Sequence, residues 1–219
     1  MEEVNKFRVY KQRGRLYTKS ITKNFSPFGE KVVRYKGNEY REANYERSKL
    51  FAAIKKGLSQ TGIKEGHKVL YLGSSHGYTP SFVSDIVGKG GVVFCLDFAP
   101  TVMRDLVIIC EKRENMIPLL ADATKPETYK DKVLKSDILY QDIAQREQVE
   151  TFIKNMEMHL KPGGFGLLTL KARSVDVTRK PKEIFNETMS VLKERYAVVD
   201  YRELDPYEKD HAFFVVKKK

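Results

Sequence analysis

Cysteine is scarce in this chain of 219 residues: there are two, Cys95 and Cys110, and neither has a second cysteine or a histidine at metal-ligand spacing. No metal site is expected, and both thiols read as small buried hydrophobes, one on a strand and one on a helix. Long apolar runs are missing as well, and nothing approaches the ~20 residues that a membrane span needs. The first six residues, Met1-Glu2-Glu3-Val4-Asn5-Lys6, lack the apolar core of a signal peptide, so the chain is expected to stay in the cytoplasm with no membrane partner. A Gly-x-Gly-x-x-Gly fingerprint is also absent, because Ser75 stands where the second glycine is needed. That argues against an NAD-linked oxidoreductase, even though an acid follows the glycine loop at plausible spacing.

Charge of one sign is present in excess. Forty Lys and Arg against twenty-nine Asp and Glu give a net charge of +11. A globular chain this basic is expected to meet a polyanion, nucleic acid being the commonest, with a generally basic proteome as the plain alternative. Hydrophobic residues at 41% and charged residues at 32% describe a globular protein long enough to bury a core.

The chain is organised around Val69-Leu70-Tyr71-Leu72-Gly73-Ser74-Ser75-His76-Gly77. The four apolar or aromatic residues read as a buried parallel strand, and the glycine-bounded loop leads into a helix over 79–87. In an open α/β sheet a ligand sits at such a loop, where glycine admits a close backbone approach and a helix start offers free N–H groups. A second strand, Val92 to Asp97, ends in an acid placed to accept hydrogen bonds from a ribose diol, or simply to cap the helix running from Thr101 to about Arg113. A third strand, Ile117 to Ala121, runs into Asp122-Ala123, an acidic corner suited to the edge of an adenine ring. The fourth, Ser136 to Asp142, precedes a helix from Gln145 to about Leu160. After a sharp turn at Lys161-Pro162-Gly163-Gly164, the fifth strand runs from Phe165 to Lys171. A helix over 181–196 leads to two closely joined and therefore antiparallel strands, Ala197 to Leu204 and His211 to Val216. This is an α/β, Rossmann-like class I methyltransferase sheet, mostly parallel with one antiparallel strand.

Residues 1–45 read as a separate small β-rich module, and 46–219 as the Rossmann-like domain. Strands are expected at Phe7-Arg8-Val9-Tyr10, at Lys31 to Tyr35 and, after a turn, at Glu39-Tyr40-Arg41. Basic residues, Arg41 among them, alternate here with Tyr10, Tyr17, Phe25, Phe28, Tyr35 and Tyr40. Such interleaving suits RNA, and equally a small sheet with a solvated basic face and a protein partner. From Tyr45 to Leu58 the apolar spacing is helical, and by spacing alone Lys49 faces solvent.

Six stretches together resemble the fibrillarin family of RNA 2′-O-methyltransferases in its short archaeal form. They are Arg47-Ser48-Lys49-Leu50, Val69 to Gly73, Val83 to Gly88, Val102 to Leu106, Lys171-Ala172-Arg173-Ser174-Val175-Asp176-Val177, and Asp205-Pro206 with Asp210-His211-Ala212. Two departures stand out: His76 puts an imidazole in a loop that is usually Gly-Ala-Ala-Ser-Gly or similar, and Asp97 replaces the usual glutamate. The Gly/Arg-rich tail of eukaryotic members is absent.

The resemblance implies S-adenosyl-L-methionine as cofactor and a Lys-Asp-Lys-His tetrad, which falls on Lys49, Asp142, Lys171 and His211. Strand ends place Asp142 and Lys171 at the Gly73 crevice independently. The cofactor is expected against Tyr71, Gly73, Ser74, Ser75, Gly77, Tyr78 and Thr79 of the first loop, Asp97 and Phe98 of the second, Asp122 and Ala123 of the third, and Asp142 and Gln145 of the fourth. Lys171 is expected to handle the 2′-hydroxyl proton or to steady the alkoxide, with Asp142 and Lys49 setting its charge and His211 orienting the group. A neutral Lys171 at pH 7 costs roughly 4 kcal/mol, whereas a charged one needs no shift. His76 reads as a loop residue rather than a base. Substrate choice is expected to lie outside the chain, in a box C/D guide RNA paired to target rRNA or tRNA. A Nop-domain scaffold protein and a kink-turn-binding ribosomal-type protein would complete that assembly. A noncatalytic RNA-binding subunit would require a damaged tetrad, and all four residue types are in place.

Overall fold

The computed structural model describes residues 1–4 and 7–219. Asn5 and Lys6, part of the stretch read for a signal peptide, lie outside the described residues. The chain opens with five strands: β1 (Glu2–Glu3), β2 (Val9–Gln12), β3 (Arg15–Lys19), β4 (Val32–Tyr35) and β5 (Asn38–Ala43). They form one antiparallel sheet in the order β1-β2-β3-β5-β4. Its two tight hairpins turn on Arg13-Gly14 and Lys36-Gly37, with both residues of each pair at positive φ. That is the backbone twist which suits two-residue connections between strands. The second hairpin is the expected one; the first is not foreshadowed, since Arg-Gly between charged residues is a weak turn signal, and β2 starts at Val9 rather than Phe7.

Next come α1 (Lys49–Lys55), β6 (Lys68–Leu72), α2 (Tyr78–Val87), β7 (Val92–Asp97), α3 (Pro100–Lys112) and β8 (Met116–Leu120). A 3-10 turn at Pro126–Tyr129 precedes β9 (Ser136–Gln141), α4 (Gln148–His159), β10 (Leu160–Lys171), α5 (Ala172–Val175), α6 (Pro181–Arg195), β11 (Ala197–Glu203) and β12 (His211–Lys217). The seven-stranded sheet has the order β11-β12-β10-β9-β6-β7-β8. Strand β12 alone runs against its neighbours, pairing antiparallel with both β10 and β11. The expected mostly parallel sheet with one antiparallel strand is therefore the one observed.

Three boundaries are corrected. Helix α1 is half the expected length, because Asn44 accepts the Glu46 N–H at 2.8 Å and its carbonyl accepts the Arg47 N–H at 3.2 Å, holding 44–47 as a turn. Helix α4 starts at Gln148 rather than Gln145. The Lys161-Pro162-Gly163-Gly164 segment is a bulge within β10 rather than a break before it: Leu160 pairs with Ser136, and pairing resumes at Phe165 with Ile138. The short helix α5 went unread, its four residues being too few for a periodic signal.

The sheet buries a hydrophobic layer on each face. On one face Phe7, just before β2, and Val9, Leu16 and Ala43 of the N-terminal sheet share a core with Phe51 of α1 and Phe82 and Val83 of α2. Beside that core, fully buried Asp85 accepts from Arg41 Nη1 and Arg113 Nη1, each at 2.9 Å, and from the Thr18 hydroxyl at 2.7 Å. Arg41 also pairs with Glu30, and its guanidinium lies 4.3 Å from the Phe82 ring centre. Arg41 is thus no part of a basic surface, a second correction for the N-terminal stretch. Cys95 and Cys110 are free thiols, buried on β7 and α3 as expected.

Candidate functional site

Strand order reverses between β6 and β9, so the connections leaving their carboxyl ends diverge and open a crevice. Its floor is a stacked pair, Tyr71 on β6 and Tyr140 on β9, which are register partners with ring centres 4.3 Å apart. Burial pushes both phenols well above their ordinary range. Gly73 closes β6 at φ +81°, and a Cβ there would lie 2.2 Å from the Asp142 carbonyl oxygen. Only glycine lets the two strand ends come this close. The Gly73 and Ser74 N–H groups donate to the Leu96 carbonyl, and the Ser75 N–H donates to Asp97 Oδ2 at 2.8 Å. Gly77, at φ +91°, then starts α2.

Two cavities meet along this loop. The larger, about 870 Å³, is lined in part by Lys49, Tyr71, Gly73, Ser74, Ser75, Tyr78, Thr79 and Asp142. The smaller, about 250 Å³, is lined by Gly73, Ser75, Leu96, Asp97, Phe98, Ala123, Asp142, Ile143, Ala144 and Gln145. Gly73, Ser75 and Asp142 belong to both. Phe98 is 66% exposed, unusual for a phenylalanine, and presents a ring at this opening. Asp97 also accepts the Ala99 N–H at 3.1 Å, so it steadies both the loop and the start of α3 while still lining the cavity. The Gln145 Oε1 atom is buried with no hydrogen-bond partner. An orphaned acceptor, an exposed ring and a carboxylate around an elongated opening fit an adenosyl group with polar hydroxyls. Asp122, beside Ala123 of the smaller cavity, accepts the Thr124 N–H and hydroxyl on Oδ1, which hold its pKa low.

At the rim shared by the cavities, Lys49 Nζ lies 3.2 Å from Asp142 Oδ2. The expectation from spacing that Lys49 faces solvent is overturned, since its side chain is only 25% exposed at the first position of α1. Burial acts to lower the Lys49 pKa, but the charges of Asp142 and Glu208 outweigh it, so the net displacement is upward. Lys171 and His211 form a direct cross-strand pair at the adjoining ends of β10 and β12. Directly opposed residues put their side chains on one face. His211 is buried with Nδ1 2.7 Å from the Lys209 carbonyl, which assigns the neutral ring's hydrogen to Nδ1 and leaves Nε2 as acceptor. Neither Lys171 nor His211 lines the two cavities. The four residues thus stand as two pairs, Lys49 of α1 with Asp142 just after β9, and Lys171 of β10 with His211 of β12.

Three further residues, Gln148, Arg47 and His76, border the site. Gln148, fully buried at the start of α4, accepts the Lys171 N–H at 3.0 Å and donates to its carbonyl at 3.1 Å. Arg47 stacks its guanidinium 4.3 Å above the Tyr78 ring, with Phe28 alongside. His76 pairs with Asp105 at 2.8 Å on the exposed lip of the larger cavity, a loop residue as expected. The stretch Arg47-Ser48-Lys49-Leu50 marked Arg47 by resemblance, but no periodicity marks Gln148.

The sequence model of the Fibrillarin family matches residues 1–219. Among curated relatives, a fibrillarin-like rRNA/tRNA 2′-O-methyltransferase of Pyrococcus horikoshii is 48% identical over 204 residues, covering 93% of this chain and 90% of the relative. The structure of Aeropyrum pernix fibrillarin in complex with natively bound S-adenosyl-L-methionine superposes with TM-score 0.85 at 42% identity, covering 92% of this chain and 88% of that one. A fibrillarin/Nop5p complex contains a chain that superposes with TM-score 0.87 at 38% identity, covering 97% and 98%.

Proposed function

Because the chain belongs to the fibrillarin family, we propose that it methylates ribose 2′-hydroxyls of rRNA and tRNA, as the catalytic subunit of a box C/D guide ribonucleoprotein in the cytoplasm. The observation that carries this reading is the Lys49–Asp142 pair at the crevice rim, between a cavity suited to an adenosyl group and a larger one open to an acceptor. A Nop-domain scaffold is the proposed protein partner, after the fibrillarin/Nop5p complex, with a kink-turn-binding protein and the guide RNA completing the particle. Among the described residues no helix is long and apolar enough to cross a membrane.

When bound, S-adenosyl-L-methionine supplies an electrophilic methyl group carried on a sulfonium. Asp97 would accept hydrogen bonds from the ribose diol, Phe98 and Ala123 would flank the adenine, and Gln145 Oε1 would find the donor it lacks. Thr79, Tyr78 and the loop from Gly73 to Gly77 would hold the amino-acid end, with Asp122 at the edge of the adenine. Methyl transfer is an in-line displacement, so the chain contributes chiefly by positioning the acceptor oxygen. Lys171 takes the 2′-hydroxyl proton or steadies the developing alkoxide, and Asp142 balances the two lysines. Lys49, tied to Asp142, remains cationic, and His211 Nε2 orients the hydroxyl or Lys171.

The test is reconstitution with guide RNA and partner proteins, followed by mapping of ribose methylation. One modified site opposite the guide is expected, and no methylation in the complete particle overturns the reading. Calorimetry is expected to show binding of S-adenosylhomocysteine and none of NAD.

A further inference from the structure

Every charged side chain lining the larger cavity but one has a polar side-chain partner within it. Lys49 faces Asp142 at 3.2 Å and His76 faces Asp105 at 2.8 Å. Arg47 is exposed, and among the described residues no carboxylate stands within ion-pairing distance of its guanidinium. Stacking on Tyr78 at 4.3 Å fixes the plane of the group without neutralising it. The cavity thus holds one oriented, uncompensated cation, two residues before Lys49.

An acceptor ribose within an RNA chain brings an anion with it. The carbon beside the 2′-hydroxyl carries the bridging 3′ phosphodiester, so presenting that hydroxyl at the Lys49–Asp142 rim places a phosphate in the same cavity. Lys49 is already engaged by Asp142, which leaves Arg47 as the cation free to meet that phosphate. A planar guanidinium suits phosphate oxygens, and one already held by an aromatic ring loses less freedom on binding.

We propose that Arg47 binds the phosphodiester on the 3′ side of the target ribose, so that the site prefers an internal nucleotide of an RNA strand to a free nucleoside. Arg47 is a substrate-positioning residue with no part in proton transfer. This deepens the function proposed above and rests on it for the identity of the acceptor.

The test uses the assembled guide particle and two otherwise identical substrate RNAs, one carrying a single neutral methylphosphonate 3′ to the target nucleotide. Affinity is read by fluorescence anisotropy, and KM and kcat by methyl transfer. Arg47→Ala is expected to weaken binding and raise KM about 10- to 100-fold on the normal RNA, in the range of a hydrogen bond to a charged group. The methylphosphonate is expected to cost the unsubstituted protein a similar factor and to cost Arg47→Ala nothing more. Loss of one phosphate contact also makes the plot of log affinity against log salt less steep by about 0.7 to 1. Arg47→Lys, which keeps the charge and loses the flat stack, is expected to recover part of the loss. Unchanged S-adenosylhomocysteine binding and circular dichroism show that the variants are folded. Two outcomes overturn the proposal: full affinity and KM in Arg47→Ala, or losses from the variant and the neutral linkage that simply multiply. A particle that shows the Arg47-dependent affinity and transfers no methyl group refutes the methyltransferase reading instead.

Discussion

The side-chain amide of Gln148 brackets the peptide of Lys171, its oxygen accepting the N–H and its nitrogen donating to the C=O. The same nitrogen donates to the Gln145 carbonyl at 2.9 Å, and the Gln141 amide donates to the Gln148 carbonyl at 2.6 Å. The end of β10 is thereby joined to the start of α4 and to the loop bearing Asp142. Gln148→Leu leaves two peptide groups of Lys171 unpaired, at a cost of about 1–3 kcal/mol each. Displacement of Lys171 is expected to lower the methylation rate about 10- to 100-fold. Single-turnover rates and denaturant unfolding read both effects, and a wild-type rate contradicts the role given to this bracket.

Gly73→Ala introduces a Cβ 2.2 Å from the Asp142 carbonyl oxygen, at φ +81°. Backbone must shift in reply, since the nearest clashing atoms are the carbonyl oxygen and carbon of Asp142. Destabilisation of about 1–3 kcal/mol from the backbone alone is expected, together with weakened S-adenosylhomocysteine binding. Thermal unfolding and calorimetry measure the two, and an alanine variant with normal affinity shows that the crevice tolerates a wider separation.

The Lys49–Asp142 pair predicts an alkaline dependence. A lysine whose folded pKa is raised contributes stability that is whole below its ordinary value of 10.5 and is lost as pH rises through the folded value. Unfolding free energy is therefore expected to fall from about pH 10.5 upward. In Asp142→Asn the main raising influence is gone and burial works to lower Lys49, so its titration moves down and the alkaline loss shrinks. NMR titration of the Lys49 Cε resonance checks this; an unmoved midpoint contradicts the pairing.

Asp85 separates two fully buried guanidinium groups, Arg41 and Arg113. Asp85→Ala leaves Arg113 without its carboxylate and Arg41 with Glu30 alone. Removing one partner of a buried ionic group costs about 3–5 kcal/mol. A lower urea midpoint with an unchanged slope is the expected result, and a midpoint within error of the unsubstituted protein counts against the cluster as the tie between the two sheets.

Much of this was legible in the residues themselves. The runs Val69 to Leu72 and Val92 to Leu96 are apolar throughout because both faces of a central parallel strand are covered. The loop from Gly73 to Gly77 announces a turn because glycine reaches φ values denied to other residues. Lys171 and His211 could be placed at strand ends because Lys171 closes the apolar run from Phe165 and His211 opens the one ending at Val216. Strand β3, helix α5 and the true start of α1 were not legible, each being short or begun by side chains that hydrogen-bond their own backbone.

The amino-acid order alone determined the succession of strands and helices, the crevice after β6 and the family, since these follow from neighbours within a few positions of one another. Only the folded chain decided that Arg41 is interior, that Lys49 faces Asp142, that Gln148 grips Lys171 and that Arg47 stands without a counter-charge. The first three join a side chain to Asp85, Asp142 and Lys171, at 44, 93 and 23 positions away. Burial and Coulomb energies depend on such distances in space, and no local pattern encodes them.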